Sequence, residues 1–230
     1  MLVEIRGVQF VNKGAELMLE AIYSRLRDRY GEKLHIALSP RNSPYYLRSK
    51  YRAFQKVGNL KYRFDWSYIS WLLPKSVKLD LGMVTHSDID VVLDASGFAY
   101  GDQWTPAMFR SAVRLAEQVR SQGGKYIFMP QAMGPFKRKA YKKLLARAVQ
   151  AAELFYVRDK KSYEYVTSIV GIRENVILSP DFTNLIASEE ECCKDERLCV
   201  VIPNSKMLRM QTSAISSSYI DVLKSAINNW

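Results

Sequence analysis

The turn Asn12-Lys13-Gly14-Ala15-Glu16 contains residue types that can bind an anion. It follows an apolar stretch and precedes a helical pattern, so backbone N–H groups and the positive end of a helix dipole would face a ligand there. Gly14 would let a ligand approach the backbone, and Lys13 would add a positive charge. A plain helix cap made by the side chain of Asn12 is the alternative explanation.

A second polar segment, residues 94–104, combines two carboxylates with two glycines and an aromatic residue. Asp94 ends an apolar run, and Asp102 follows Gly97 and Gly101. Such loops usually serve ligands. Either carboxylate can orient a sugar hydroxyl or accept its proton. The structural alternative is that Asp102 caps the following helix.

Two further polar segments follow later apolar runs. In residues 130–136, Gln131 can both donate and accept hydrogen bonds, and Gly134 would let a ligand lie against the backbone. Arg158 and Asp159 follow the next run. A guanidinium grips carboxylate or phosphate with two hydrogen bonds, which makes Arg158 the best single candidate for an anion fork. An ordinary ion pair with Asp159 or with another helix is the alternative.

An alternation of strand and helix patterns positions these segments. Apolar runs at 2–10, 34–39, 90–96, 125–129, 154–157 and 176–179 indicate strands. Helical periodicity follows residue 16 and recurs at 107–121, 137–152 and 160–169. This alternation predicts an α/β fold, a Rossmann-like parallel sheet flanked by helices. Ligands of such sheets bind beyond the carboxyl ends of the strands, so the polar segments are expected along one edge.

Two stretches depart from this pattern. Residues 41–87 form an irregular insertion rich in Tyr, Trp, Arg and Lys, with helical turns predicted near 46–56 and 66–72. It could stack sugars or contact a membrane interface, although a small cap that packs its own aromatic residues is favoured. Residues 188–197 indicate a charged linker, 198–202 a strand and 217–229 a helix. We expect a complete domain over 1–187 and a second domain, begun at 198–230, that is cut short.

The basic excess behind the net charge of +11 lies in the first 187 residues. Residues 1–80 carry 15 basic against 7 acidic side chains, 81–187 carry 14 against 10, and 188–230 carry 5 against 6. This excess suits either an anionic partner or a solvated surface. No nucleic-acid-binding signature is present, so nucleic acid is not an expected partner. One helix face would suit an anionic membrane surface or solvent; it carries Lys137, Arg138, Lys139, Lys142, Lys143 and Arg147.

The cysteines and the N-terminus indicate a cytoplasmic protein. Cys192, Cys193 and Cys199 have no CxxC spacing, and both histidines are distant in sequence, so we expect reduced thiols and no metal site. An acid and a base interrupt the first seven residues, which is not the pattern of a signal peptide. No apolar run approaches the ~20 residues of a membrane span.

Taken in order, the polar segments resemble those of the polysaccharide pyruvyl transferase family. The resemblance covers residues 2–205, and it is carried by Asn12-Lys-Gly-Ala-Glu-Leu-Met-Leu, Asp94-Ala-Ser-Gly-Phe, Pro130-Gln-Ala-Met-Gly-Pro, Val157-Arg-Asp-Lys-Lys-Ser and Pro180-Asp-Phe. Ala95-Ser96-Gly97 stands where the family more usually has paired glycines. The resemblance implies the N-terminal half of a GT-B-like two-domain enzyme.

The resemblance also implies a reaction and roles for site residues. Such enzymes transfer the enolpyruvyl group of phosphoenolpyruvate, a donor substrate rather than a cofactor, to a sugar hydroxyl. They form a pyruvate ketal in capsular polysaccharide or exopolysaccharide and release phosphate. Three residues are expected to be catalytic: Arg158 would hold the donor, and Asp94 or Asp102 would act on the acceptor. The expected substrate-binding residues are Asn12, Lys13, Gly14, Glu16, Gly97, Gln131, Gly134 and Asp159.

The expected partners follow from this reaction. They are phosphoenolpyruvate and a saccharide or lipid-linked oligosaccharide acceptor, with peripheral contact to the anionic inner face of the cell membrane and pairing into homo-oligomers as further expectations. Two other functions are alternatives. One is a glycosyltransferase that uses nucleotide sugars on the same architecture. The other is an inactive half-module that only binds a sugar or a partner protein.

Overall fold

A computed structural model describes residues 1–57, 73–186, 201 and 213–228. Contacts between Cα atoms divide the chain into two compact units, Met1–Ala187 and Ser188–Trp230. The cysteines, the predicted linker at 188–197 and the helical turn at 66–72 lie outside the described residues, as does most of the predicted strand at 198–202.

The first unit is an α/β structure with one parallel sheet, as predicted. Its strands are β1 (Leu2–Arg6), β2 (His35–Leu38), β3 (Phe54–Lys56), β4 (Met83–Val84), β5 (Val91–Asp94), β6 (Lys125–Gln131), β7 (Leu154–Val157) and β8 (Val176–Leu178). All eight are parallel, in the spatial order β4-β3-β2-β1-β5-β6-β7-β8. The strand order reverses between β1 and β5, which makes the gap above these two strands the topological switch point.

Helices cover both faces of this sheet. They are α1 (Lys13–Tyr30), α2 (Tyr45–Lys50), α3 (Lys75–Asp80), α4 (Pro106–Ser121), α5 (Lys139–Ala151) and α6 (Lys160–Val170). The described part of the unit also contains three short 3-10 helices, at Gly31–Lys33, His86–Asp88 and Phe182–Leu185. The second unit contributes α7 (Ser213–Asn228), which exposes Ile220, Val222 and Ile227.

Two apolar layers hold the sheet between the helices. Side chains alternate across a strand, so Val3 and Ile5 pack in one layer with Leu19 and Ile22 of α1. Leu2, one residue away, packs in the other layer, which contains the inner faces of α4 and α5. Since β1 is covered on both faces and has neighbours on both sides, a charged residue within it is buried unless it lies at the strand's end.

Two of the strands lie in the segment 41–87, where the sequence shows no strand pattern. β3 pairs with β2, and β4 pairs with β3, so this segment extends the sheet rather than only capping it. The predicted helical turn near 46–56 is confirmed only in its first half, which is α2, because its last three residues form β3. These strands contain only three and two residues, which is too short to show a period.

Candidate active site

The polar segments found in the sequence lie together at the carboxyl edge of the sheet. β1, β5, β6, β7 and β8 are neighbours in that order, so the loops that leave their carboxyl ends are neighbours too. The loop after β5 runs beside the loop after β6: the Ala132 N–H donates to the Gly97 carbonyl over 3.0 Å, and the Gly134 N–H donates to the Tyr100 carbonyl over 2.9 Å. The two predicted ligand loops therefore form one backbone-linked layer.

The turn before α1 is a capped helix start. The Asn12 side chain accepts a hydrogen bond from the Gly14 N–H over 3.0 Å, and Lys13 forms an exposed ion pair with Glu16 over 2.6 Å. A Cβ on Gly14 would make only ordinary contacts. The capping geometry proposed for Asn12 is thus present. The anion-binding role of this turn stays a prediction, because Lys13 can leave its surface pair at little cost.

Asp94 is fully buried, and its carboxylate is surrounded by donors. One oxygen accepts hydrogen bonds from the Tyr100 hydroxyl at 2.7 Å and the Tyr126 hydroxyl at 2.6 Å. The other accepts from the backbone N–H and hydroxyl of Ser96. Burial and the charge of Asp94 raise the pKa of both tyrosines well above the ordinary value, so both stay protonated donors. The hydrogen bonds of Asp94 to Ser96 and Tyr100 therefore fix the loop after β5.

Asp102 links this loop to the start of α5. Its carboxylate accepts from the backbone N–H groups of Lys137 and Arg138 and from the Arg138 side chain at 3.1 Å. The slight burial of Asp102 acts to raise its pKa, but these hydrogen bonds outweigh that effect and hold the pKa below its ordinary value. The expectation that Asp102 caps the following helix is wrong, because α4 has no side-chain cap and the hydrogen bonds of Asp102 go to the two residues that precede α5.

Gln131 and Gly134 lie inside the layer formed by the two loops. Gln131 is fully buried, and its amide nitrogen lies 3.4 Å from the Asp94 carbonyl, while its side-chain oxygen has no hydrogen-bond partner in the described part of the chain. Gly134 has φ +87°, and a Cβ there would lie 2.6 Å from the Tyr165 ring. Glycine is therefore required at 134 by packing against α6, whatever ligand binds nearby.

Arg158 and Asp159 are both engaged within the chain. A terminal nitrogen of Arg158 donates to Asp181 over 2.9 Å, and Asp159 caps α6 through the N–H and hydroxyl of Ser162, each at 2.8 Å. Burial acts to raise the pKa of Asp181, but hydrogen bonds from Thr183 and Arg158 hold it below its ordinary value. Arg158 would have to share or leave Asp181 in order to hold a donor substrate.

A close backbone approach joins β1 to the loop after β5. Gly7 has φ +78°, and a Cβ at this position would lie 2.4 Å from the Ser96 Cα. Gly97, in the same loop, faces α1: its Cβ would lie 3.3 Å from the Met18 methyl group. The loop that carries Gly97 is thus held between the end of β1 and the first turns of α1.

Sequence reasoning missed a group of charged side chains on one face of the sheet. Glu4 on β1 forms a buried ion pair with Lys56 of β3. Arg6, two residues along β1 and in register with Asp94, is partly buried. Burial acts to lower the pKa of Arg6, but the neighbouring Tyr126, Glu4 and Asp94 outweigh it and raise the pKa above its ordinary value. The available signal was the pair of charges at alternate positions of an otherwise apolar strand.

An exposed aromatic pair lies on the loop after β5. Phe98 and Trp104 are 46% and 38% exposed, and their rings meet edge to face with centroids 6.4 Å apart. The Trp104 carbonyl accepts from the Tyr141 hydroxyl at 2.6 Å and from Arg138 at 2.8 Å, which anchors the loop to α5. This arrangement offers a fixed apolar surface beside the polar segments.

Neither a metal cluster nor a membrane-spanning helix is found among the residues that the structure describes. No three His, Cys, Asp or Glu side chains there are grouped so that they could hold an ion. The described helices also lack the combination of length and apolarity needed to cross a bilayer.

Comparison with known proteins places the chain in a family. The model of the family described as "Polysaccharide pyruvyl transferase" matches residues 12–225, which is nearly the whole chain and includes all five polar segments. No curated protein is significantly similar to the chain.

Proposed function

The chain belongs to the polysaccharide pyruvyl transferase family, a family of transferases, and on this premise we propose that it transfers a pyruvyl group from phosphoenolpyruvate to a saccharide. The observation that carries the proposal is the family match, together with the assembly of the family-like segments at the switch point between β1 and β5. The saccharide would belong to a capsular polysaccharide or exopolysaccharide, on a GT-B-like architecture of two domains.

The proposed reaction converts one enol phosphate into a ketal. A proton is added to the methylene carbon of phosphoenolpyruvate, and the resulting oxocarbenium-like C2 is attacked by one sugar hydroxyl, which loses its proton. Phosphate then leaves with the C2–O bond electrons, and a second hydroxyl of the same sugar attacks C2 and loses its proton. Of the two hydroxyl protons, one balances the proton added to the methylene and the other goes to phosphate. Cationic groups would stabilise the departing phosphate.

The geometry supports a division of roles among the expected residues. Arg158, with the turn that contains Asn12, Lys13 and Gly14, would hold the anionic donor. Asp94 would act as a positioning residue, because its oxygens are already bound by Tyr100, Tyr126 and Ser96. Asp102, partly exposed, would be the carboxylate nearer to the acceptor.

The decisive experiment offers the purified protein phosphoenolpyruvate and a panel of saccharides. Release of inorganic phosphate, accompanied by a new methyl signal of a ketal in the product, would support the proposal. No phosphate release and no ketal with any acceptor would refute it. Binding of nucleotide sugars, without binding of phosphoenolpyruvate, would instead identify a glycosyltransferase.

We propose that Phe98 and Trp104 form a stacking surface for the acceptor sugar. Aromatic side chains pack against the C–H face of a sugar ring, and this pair is exposed beside the ligand loops. Phe98→Ala is expected to raise the KM for the saccharide about 2- to 10-fold without changing the KM for phosphoenolpyruvate, on the scale of ~0.5–1.5 kcal/mol for an aromatic contact. Met108→Ala, which truncates another exposed apolar residue, on α4, is the matched control. Equal effects of both changes would contradict the proposal.

The outer face of α5 is proposed to contact an anionic membrane. Lys142 and Lys143 are exposed there, whereas Arg147 pairs with Glu117 through two hydrogen bonds of 2.8 and 2.7 Å. Co-sedimentation with vesicles that contain phosphatidylserine should be reduced by the double change Lys142→Glu and Lys143→Glu. Vesicles of phosphatidylcholine alone are the control, and equal binding to both vesicle types would refute the contact.

A further inference from the structure

Arg6 differs from Arg138 and Arg158, which also lie at the carboxyl edge of the sheet, in the hydrogen bonds that its guanidinium makes. Arg158 donates to Asp181, and Arg138 donates to Asp102. Within the described ranges, no residue accepts a hydrogen bond from the Arg6 guanidinium or forms an ion pair with it, although Arg6 is partly buried. A guanidinium carries five N–H donors, so the Arg6 side chain has several donors available to an acceptor.

The acidic neighbours of Arg6 balance its charge without using these donors. Glu4 is occupied by Lys56, and Asp94 is occupied by two tyrosine hydroxyls and Ser96. Two cations, Arg6 and Lys56, and two carboxylates, Glu4 and Asp94, are therefore gathered in a charged network on one face of the sheet. This balance keeps Arg6 protonated and leaves its planar fork open to an acceptor from outside the network.

The location of Arg6 favours a ligand as that acceptor. It is the last residue of β1, and it is in register with Asp94 at the end of β5. The strand order reverses between these strands, and this is where open parallel sheets bind their ligands. The adjacent Gly7 brings the backbone against Ser96, which holds the two strand ends close together.

We propose that Arg6 is an anion-binding residue that grips the two oxygens of a carboxylate or phosphate group of a ligand. The fork geometry of a guanidinium matches both groups. The identification of this anion as phosphoenolpyruvate rests on the proposed function, whereas the anion site itself does not.

Chemical protection tests this site in the unaltered 230-residue protein. Arginines are modified with phenylglyoxal and located by peptide mass spectrometry, in the presence of inorganic phosphate, pyruvate or phosphoenolpyruvate, with potassium chloride at matched ionic strength as the reference. An anion at about ten times its Kd should slow the modification of Arg6 about tenfold. Arg147, on the outer face of α5, is the internal control and should react at the same rate throughout.

The pattern of protection also identifies the group that is bound. Protection by phosphate but not by pyruvate supports a phosphate site, and the reverse supports a carboxylate site. Failure of all three anions to protect Arg6 overturns the proposal. Because this measurement needs no substitution, it is independent of whether any Arg6 variant folds.

A charge-preserving variant separates the site from the reaction. Arg6→Lys retains the cation but loses the fork, so anion affinity measured by calorimetry should fall about 10- to 100-fold. Unchanged affinity in a folded Arg6→Lys protein would overturn the proposal even if the protein forms ketals. Loss of anion affinity, in a protein whose unaltered form makes no ketal, would support the anion site and refute the proposed function.

Discussion

Replacing Glu4 with glutamine is expected to destabilise the unit Met1–Ala187 by about 3–5 kcal/mol, because the change removes the carboxylate that pairs with the buried Lys56 ammonium. Glu4 and Lys56 are only 2% and 8% exposed. They lie on β1 and β3, on either side of β2, so the pair spans the width of one strand within the sheet. Removal of one charge therefore cannot be compensated by simple solvation of the other.

The expected loss of stability depends on the burial of the ion pair. An exposed ion pair elsewhere in the chain therefore serves as the control. Glu117 and Arg147 form a well-aligned ion pair, but their side chains are 40% and 48% exposed. Glu117→Gln should cost only about 0–1 kcal/mol. For a unit of this size, a loss of 3–5 kcal/mol corresponds to a fall in Tm of about 6–20 °C. The double change Glu4→Gln and Lys56→Met removes both charges and should recover much of the loss.

Urea unfolding followed by circular dichroism, with thermal unfolding alongside, measures the wild type, the single variants Glu4→Gln, Lys56→Met and Glu117→Gln, and the double variant. Glu4→Gln should lose much stability and Glu117→Gln little, and the loss in the double variant should be smaller than the sum of the losses in Glu4→Gln and Lys56→Met. If Glu4→Gln costs no more than Glu117→Gln, the ion pair is not buried in the way the structure shows. If the double variant is less stable than Glu4→Gln, loss of the carboxylate beside the Lys56 ammonium is not the source of the cost.

Two further outcomes are expected from single substitutions. Gly7→Ala should destabilise the protein by about 1–3 kcal/mol more than Gly31→Ala, because both have positive φ but only Gly7 would place a Cβ against Ser96; equal urea midpoints for the two variants would contradict this. Asp88 is bound by the Lys78 ammonium and by Thr85, and these hydrogen bonds outweigh burial and lower its pKa from 3.8. Since the folded-state pKa lies below the unfolded-state value, the carboxylate contributes stability above about pH 4 and loses it as the pH falls through the folded-state pKa. The stability difference between the wild type and Asp88→Asn should accordingly be largest near pH 7 and shrink in acid, and a difference that grows on acidification would reverse the assigned sign.

The α/β alternation could be predicted from the sequence because its helices and longer strands show their periods. α4 and α5 begin and end within two residues of the predicted ranges, since each combines an inner apolar face with a polar outer face. β3 and β4 could not be predicted, because strands of three and two residues gain their stability from sheet neighbours rather than from local pattern.

The candidate site was predicted as a set of loops but not as a set of contacts. The rule that parallel sheets bind ligands at their carboxyl edge is sufficient to select the loops. It does not reveal that Asp94 is covered by Tyr100 from its own loop and by Tyr126 from β6, since these three residues meet only in the folded sheet. Nor does it reveal that Arg158 is already paired with Asp181.

The two charged residues of β1, Glu4 and Arg6, indicate a binding role for the charged network at the switch point. A buried set of two cations and two carboxylates is not needed for stability, because apolar residues of similar volume would stabilise the sheet at least as well. Lys56 pairs with Glu4, and Asp94 accepts hydrogen bonds from hydroxyl groups, so among the described residues Arg6 finds no hydrogen-bond acceptor in the network. The network therefore places a protonated guanidinium with free donors beside the loop of Gly97. Such an arrangement suits a ligand whose carboxylate or phosphate oxygens accept hydrogen bonds from this guanidinium.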